Sequence, residues 1–100
     1  MGWAANHIAQ LCKGNTVAFR PRDPSMVGRI PAGQKCTIAP VDPAALEIGD
    51  IVLCRVKGAE FLHVVKGIDG DLFQIADCKG GVKGWSTGDD IFGRCIKMEA

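Results

Sequence analysis

The sequence predicts a mainly β domain with one short N-terminal helix. Glycine accounts for 13 of the 100 residues and tyrosine is absent, which favours short strands joined by turns over a helical bundle. Apolar and polar residues alternate with a period of two along most of the chain, as in half-buried strands. The hydrophobic content of 47% and the charged content of 23% are typical of a globular chain. We therefore expect a single domain over residues 1–100.

The predicted helix covers residues 3–13 within an N-terminal segment 1–14. Its apolar side chains recur at the spacing of one helix face, and Gly14 follows as a C-terminal stop. The residues on that face are Trp3, Ala4, His7, Ile8, Leu11 and Cys12. We expect one short amphipathic helix followed by the strands.

Six segments rich in Val, Ile, Phe and Thr are predicted to be strands. They are residues 16–20, 35–40, 50–56, 60–68, 71–76 and 90–98. Three segments between them are too polar or too rich in glycine to be strands and are predicted to be loops. These loops are residues 20–33, 41–49 and 77–88.

Two hairpin turns fix a predicted register around His63. Asp69-Gly70 is a strong two-residue turn signal, and Gly58-Ala59 is a weaker one. With two-residue turns at both places, His63 lies opposite Cys54 on one side and Ala76 on the other. The imidazole is then in the middle of a sheet. Asp77 would project from the other face, unless a bulge intervenes or the chain leaves the sheet near Ala76.

Composition and motifs argue against several classes of partner. The formal net charge of +1 indicates neither a nucleic-acid-binding field nor a polyacidic partner. Arg20, Arg22 and Arg29 share one loop, but three arginines in a loop are usually a solvated surface. No glycine-rich phosphate loop opens a helix, and no His or Cys pair has metal-ligand spacing. We expect no nucleic-acid partner, no metal and no cofactor.

The cysteines and the apolar runs bear on the cellular compartment. The five cysteines are odd in number and widely spaced, without a C-x-x-C pair, so buried free thiols are expected rather than a disulfide framework. No apolar run approaches the roughly 20 residues of a transmembrane helix. His7, Gln10 and Lys13 come too early for the apolar region of a secretory signal. The sequence therefore predicts a cytoplasmic protein with no membrane partner.

Ser25 and His63 are the residues best suited to chemistry. A serine hydroxyl becomes a good nucleophile when a neighbouring base takes its proton. An imidazole can act as that base near neutral pH, and the apolar residues around His63 favour its neutral form. The alternatives are structural: Ser25 after Pro24 is often a turn residue, and a histidine in a strand is often a hydrogen-bonded core residue. Cys54 could also pair with His63, although a thiol within "IVLCRV" is more often inert packing.

The order of segments adds a resemblance. "PSM" in a loop is followed by "IPAGQKCTIAP", "LEIGDIVLCRV", "EFLHVVKGIDGD", "FQIADCKGG" and "IFGRCIKM". This order resembles the LexA-like and signal-peptidase-like serine peptidases, over residues 16–98. Its most specific points are Ser25-Met26 and Gly49-Asp50-Ile51-Val52. The fold that the resemblance implies is the β-fold of short strands of that clan.

The resemblance also implies roles for individual residues. Ser25 matches the nucleophile, and His63 falls where most of the clan has a lysine base, as in the histidine-bearing signal peptidases. Asp77 best matches the aspartate of the clan's "GDN" segment, with Asp89 or Asp90 as alternatives. Backbone N–H groups of Ser25 and Met26 would hold the oxyanion. The implied reaction is hydrolysis of a peptide bond in a peptide or protein substrate.

A second function remains open at this point. The chain could be a catalytically inactive or weak binding or regulatory module that keeps the fold, of phage or mobile-element origin, and that forms a homodimer through its sheet. The absence of an obvious substrate-recruiting segment motivates this alternative. The behaviour of a Ser25→Ala variant distinguishes the two.

Overall fold

A computed structural model describes residues 5–19, 35–77 and 80–99 of the chain. Helix α1 spans Ala5–Cys12 and is followed by seven strands. The strands are β1 (Val17–Phe19), β2 (Lys35–Ala39), β3 (Ile51–Val56), β4 (Ala59–Asp69), β5 (Leu72–Ala76), β6 (Val82–Thr87) and β7 (Ile91–Glu99). Short 3-10 turns at Pro43–Ala45 and Gly88–Asp90 precede β3 and β7. The mainly β class with one short helix is confirmed.

All seven strands form one antiparallel sheet with the order β1-β2-β7-β3-β4-β5-β6. Apolar side chains cover both of its faces. The helix-side core, which includes the buried residues of α1, consists of Ile8, Leu11, Cys36, Ile38, Ile51, Leu53, Leu62 and Val64. The far-side core consists of Leu46, Val52, Cys54, Val56, Val65, Phe73, Ile75 and Ile91. Strand β3 supplies side chains alternately to the two cores, so it is buried on both faces.

The segment 77–88, predicted to be a loop, contains strand β6. Gly81 and Gly84 suppress a strand prediction because glycine lacks a side chain to pack. The segment nevertheless pairs with β5 from Leu72↔Thr87 to Ala76↔Val82. Tertiary pairing therefore overrides local composition here. The predicted loop 20–33 lies outside the described residues.

Both predicted hairpin turns are wrong by one residue. Val56 pairs with Ala59, so the first turn consists of Lys57 and Gly58 instead of Gly58-Ala59. Asp69 pairs with Leu72, so the second turn is at residues 70 and 71 instead of Asp69-Gly70. In the first turn both Lys57 and Gly58 have positive φ, whereas in the second turn the positive φ falls on Gly70 and not on Asp71.

Strand β4 carries a β-bulge at Lys66. Val65 pairs with Ile75, whereas Gly67 pairs with Gln74, so Lys66 is an extra residue on β4. A bulge of this kind shifts the register by one residue and increases the local twist. The bulge therefore decides which residues of β5 share a face with the earlier part of β4.

The Lys57-Gly58 turn provides a stability prediction. Both residues have positive φ, 52° at Lys57 and 82° at Gly58, and asparagine adopts this left-handed conformation at lower cost than lysine. We expect Lys57→Asn to raise the free energy of unfolding by about 0.5–1 kcal/mol. Gly58→Ala should lower it by about 1 kcal/mol, although no atom lies within 4 Å of the added Cβ. Urea unfolding measures both changes, and a Lys57→Asn protein no more stable than wild type would refute the turn argument.

Candidate functional site

The sequence-predicted site falls partly outside the structure. Ser25 and Met26, the predicted nucleophile and oxyanion-hole residues, lie outside the described residues and stay predictions. The structure describes the predicted base, His63, and the three candidate carboxylates. These carboxylates are Asp77, Asp89 and Asp90.

His63 lies at the centre of the sheet, as the sequence predicts. Strand β4 has β3 on one side and β5 on the other, and the His63 side chain has 0% exposure. Its cross-strand partner on β3 is Val52 rather than Cys54, because the first turn is one residue earlier than predicted. The Phe61 ring stacks on the imidazole with centroids 4.8 Å apart and an interplanar angle of 22°.

A backbone hydrogen bond selects the tautomer of His63. The Nδ1 atom lies 2.8 Å from the carbonyl oxygen of Leu62. A carbonyl can only accept a hydrogen bond, so Nδ1 carries the hydrogen and donates it. In the neutral ring the lone pair is then on Nε2. This is the form in which an imidazole can take a proton at Nε2.

Asp77 closes a tight turn after β5. Its Oδ1 accepts a hydrogen bond from the Gly81 N–H at 2.8 Å, and its own N–H donates to the Gly81 carbonyl at 2.9 Å. Lys83 Nζ lies 3.9 Å from Oδ2. A Cβ at Gly81 would lie 2.7 Å from that oxygen, so the carboxylate depends on glycine at this position. Asp77 thus has a structural role in addition to the catalytic role that the resemblance implies.

The bulge at Lys66 changes the expected relation between His63 and Asp77. Val64 pairs with Ala76 in an antiparallel register, so His63, one residue before Val64, is opposite Asp77, one residue after Ala76. Directly opposed residues share a face of an antiparallel sheet. The observed register therefore places Asp77 on the same face of the sheet as His63. The register predicted from the sequence places Asp77 on the opposite face. The assignment of Asp77 as a third catalytic member stays a prediction.

The two alternative carboxylates lie in the connection between β6 and β7. Asp89 and Asp90 belong to the 3-10 turn Gly88–Asp90 that leads into β7. Ile91, the first residue of β7, pairs with Cys54. The negative charge of Asp90 contributes, after burial, to a raised pKa of Cys54. Asp90 is therefore close to β3, whereas Asp77 follows β5.

Cys54 is a packed, neutral thiol. It lies opposite Phe61 and is fully buried in the far-side core. Burial, with a smaller effect of Asp90, raises its pKa from 9.0 to about 12. A thiol that stays protonated, with no acceptor for its proton beside it, is a weak nucleophile and a poor metal ligand. The interpretation of Cys54 as inert packing therefore has physical support.

This raised pKa predicts a loss of stability at alkaline pH. In the unfolded chain the thiol ionises near pH 9, whereas in the folded chain it stays protonated up to about 12. The unfolded state therefore binds fewer protons above pH 9, and the free energy of unfolding falls as the pH rises from about 9 to about 12. Cys54 contributes up to roughly 4 kcal/mol to this decrease.

Urea unfolding at several pH values measures the effect. Cys54→Ala should show a shallower decrease than wild type above pH 9. Cys12→Ala is the matched control, because Cys12 is exposed and its removal should leave the slope unchanged. Equal slopes in wild type and Cys54→Ala would contradict the prediction.

A shallow cavity of about 290 Å³ lies beside the part of β4 that directly follows His63. Val65 and Lys66 from the bulge form one wall, and Asp77 and Gly80 form another. Lys66 Nζ donates to the Gly80 carbonyl at 3.4 Å, which links the bulge to the turn closed by Asp77. The cavity is large enough for a side chain of a bound peptide.

Sequence reasoning missed the groups that orient His63. Phe61 is two residues before His63 on a strand, and this spacing alone places both on one face. The Leu62 carbonyl carries no sequence signal, because every residue has one. Nor does the sequence reveal the bulge at Lys66, since no glycine occupies that position.

Two further findings concern metals and membranes. Within residues 5–19, 35–77 and 80–99, no group of three or more His, Cys, Asp or Glu side chains could hold a metal ion. Across the same part of the chain, no helix has the length and apolar character to cross a membrane.

No protein-family model matches this chain, and no curated protein matches it either. Its function must therefore be argued from the site itself.

Proposed function

We propose that this chain is a small serine peptidase-like protein that hydrolyses peptide bonds with Ser25 as nucleophile and His63 as general base. The proposal combines the segment order, which resembles the LexA-like and signal-peptidase-like peptidases, with the environment of His63. The observation that carries it is the hydrogen bond from His63 Nδ1 to the Leu62 carbonyl at 2.8 Å. That bond fixes the neutral tautomer in which Nδ1 carries the hydrogen and Nε2 is the basic nitrogen.

The burial of His63 supports its proposed role as a general base. A fully buried imidazole is shielded from water, and its ring is held by the Phe61 stack. A base held in one orientation needs little reorganisation when it accepts a proton. An exposed histidine that samples many rotamers would lack this advantage.

The proposed reaction proceeds in two stages. Nε2 of His63 takes the proton of the Ser25 hydroxyl as Oγ attacks the substrate carbonyl carbon, and the carbonyl oxygen becomes an oxyanion. The imidazolium then gives its proton to the leaving amine, and an acyl-enzyme forms. A water molecule, deprotonated by His63, attacks the ester, and Ser25 regains its proton as the acid product leaves.

Covalent labelling tests the proposal directly. A fluorophosphonate should add its phosphonyl group to Ser25, and peptide mass mapping locates the added mass. Ser25→Ala should abolish the labelling while the thermal unfolding midpoint stays near that of wild type. Ser86, the other serine of the chain, is an internal control, because it is buried and donates to the Arg55 carbonyl at 3.1 Å. No label on folded wild type, or a label on Ser86 instead, would overturn the proposal.

A non-catalytic binding module is the second candidate, and the exposed apolar side chains of β6 favour it. Strand β6 is an edge of the sheet, and Val82 and Trp85 on it are 48% and 47% exposed. Edge strands can add a strand from a partner. A dimer that is stable in size-exclusion chromatography with light scattering, and that Ser25→Ala retains, would support this candidate.

A further inference from the structure

Cys36 and Cys95 lie next to each other on neighbouring strands. Cys36 is on β2 and Cys95 on β7, and these strands pair directly. Ile38 pairs with Cys95 and Cys36 pairs with Met98, with a bulge between the two pairs. Cys36 and Ile38 are two residues apart on one strand, so their side chains share a face with the Cys95 side chain.

Both cysteines belong to the helix-side core, where Cys36 is buried and Cys95 packs against the cluster. Burial, followed by the nearby Cys95 thiol, raises the pKa of Cys36 to about 12. The Cys95 thiol donates to the Lys97 carbonyl at 3.5 Å. Cysteines that share one face on directly paired strands can be brought to the geometry of a disulfide by small movements of the side chains and strands.

The two sulfurs differ in their access to solvent. Cys36 has 0% exposure, whereas Cys95 is half-buried and lines a surface cavity of about 280 Å³. A small oxidant can therefore reach Cys95 first, and Cys36 is positioned behind it. The other described cysteines have different surroundings, since Cys12 is exposed and Cys54 packs in the far-side core.

We propose that Cys36 and Cys95 form a redox-sensitive pair that closes to a disulfide between β2 and β7 in the presence of peroxide. The Cys95 sulfur attacks one peroxide oxygen, the O–O bond breaks, and a sulfenic acid and one water are formed. The Cys36 sulfur then attacks the Cys95 sulfur and displaces hydroxide, which leaves as water with the Cys36 proton. In total two thiols and one hydrogen peroxide give one disulfide and two waters.

The disulfide would tie one side of the sheet to its centre. Strand β1 pairs with β2, and β2 joins the remaining strands through β7. A covalent link at Cys36 and Cys95 therefore prevents β1 and β2 from separating from β7. Such a cross-link also restricts the unfolded chain, because the loop it closes is long.

Peptide mapping under non-reducing conditions tests the pair. Dilute folded protein is treated with hydrogen peroxide, the peroxide is removed, the protein is unfolded in urea with N-ethylmaleimide to block the remaining thiols, and the trypsin digest is analysed by mass spectrometry. The expected product links tryptic peptide 36–55 to peptide 95–97, with a loss of two hydrogens. Peptide 36–55 contains both Cys36 and Cys54, so fragmentation must place the bond on Cys36 and the maleimide on Cys54. The thermal unfolding midpoint should rise by on the order of 10 °C.

Variants separate the pair from other sulfur chemistry. Cys95→Ala should abolish both the linked peptide and the rise in unfolding midpoint, and Cys12→Ala should retain both. Cys95→Ala is preferred to Cys36→Ala because Cys95 is half-buried, and its replacement should leave the protein folded. Cys36 is fully buried, so its replacement would also remove packing from the core. Oxidation of Cys95 to sulfinic acid with Cys36 still reactive to maleimide, or a bond to any other cysteine, would overturn the proposal. None of these results depends on the peptidase assignment.

Discussion

Replacing His63 with glutamine is expected to reduce acylation of Ser25 by about 100- to 10,000-fold, the usual contribution of a general base. Glutamine fills much of the volume of the imidazole and keeps hydrogen-bonding atoms next to the Leu62 carbonyl, but it cannot accept a proton at neutral pH. The rate of fluorophosphonate labelling, followed by intact mass, measures the loss.

His7→Gln is the matched control, because the chain has two histidines. His7 stacks on Phe19 with ring centroids 4.3 Å apart, so its replacement removes an imidazole outside the proposed site. We expect labelling of this variant within a factor of about two of wild type, since His7 has no role in the proposed reaction. Equal labelling rates in wild type and a folded His63→Gln protein would show that another group activates Ser25.

Leu53→Ala is expected to lower the free energy of unfolding by about 2–5 kcal/mol. Leu53 has 0% exposure and lies on the central strand β3, paired with Leu62 on β4 and Gly93 on β7. Removing its isobutyl group leaves a cavity that strands held on both sides cannot collapse to fill. The thermal unfolding midpoint should fall by roughly 10–20 °C in a domain of this size.

Leu72→Ala provides the comparison for the same chemical change. Leu72 lies at the start of β5 and is 41% exposed, so the change should cost less than about 1 kcal/mol. Urea unfolding of both variants gives the difference. A Leu72→Ala protein as unstable as Leu53→Ala would show that the sheet is not organised around β3.

The predicted strands were most reliable where side chains alternate. "IVLCRV" is β3 over Ile51–Val56, and the other five predicted strands also appear within a few residues of their predicted bounds. Strand β6 was missed because it is held by pairing with β5, an interaction between distant residues that local composition does not encode. The first turn is displaced by one residue because Lys57 adopts a positive φ, which its residue type does not favour. In the second turn Gly70 is the first of the two turn residues rather than the second.

Less of the candidate site could be predicted. The central position of His63 followed from its place between two strands, and this is confirmed. Its partner on β3 was wrong, because an error of one residue in a turn moves the opposing position by two. The hydrogen bond to Leu62 and the bulge at Lys66 depend on backbone geometry, which the sequence specifies only through the complete fold. The roles of Ser25 and Asp77 stay predictions.

The bulge at Lys66 divides strand β4 into two segments of opposite phase. Before it, His63 and Val65 are both odd-numbered residues on the far side of the sheet, whereas after it the even-numbered Ile68 lies opposite Phe73 of the far-side core. Deleting Lys66 would remove the extra residue and let β4 pair with β5 without a bulge, and the side chains of both segments would keep their present faces. Inserting one residue into each strand next to the β4–β5 turn would lengthen the hairpin without changing which face His63 is on. The tip can therefore vary in length during evolution or engineering while the orientation of His63 is conserved.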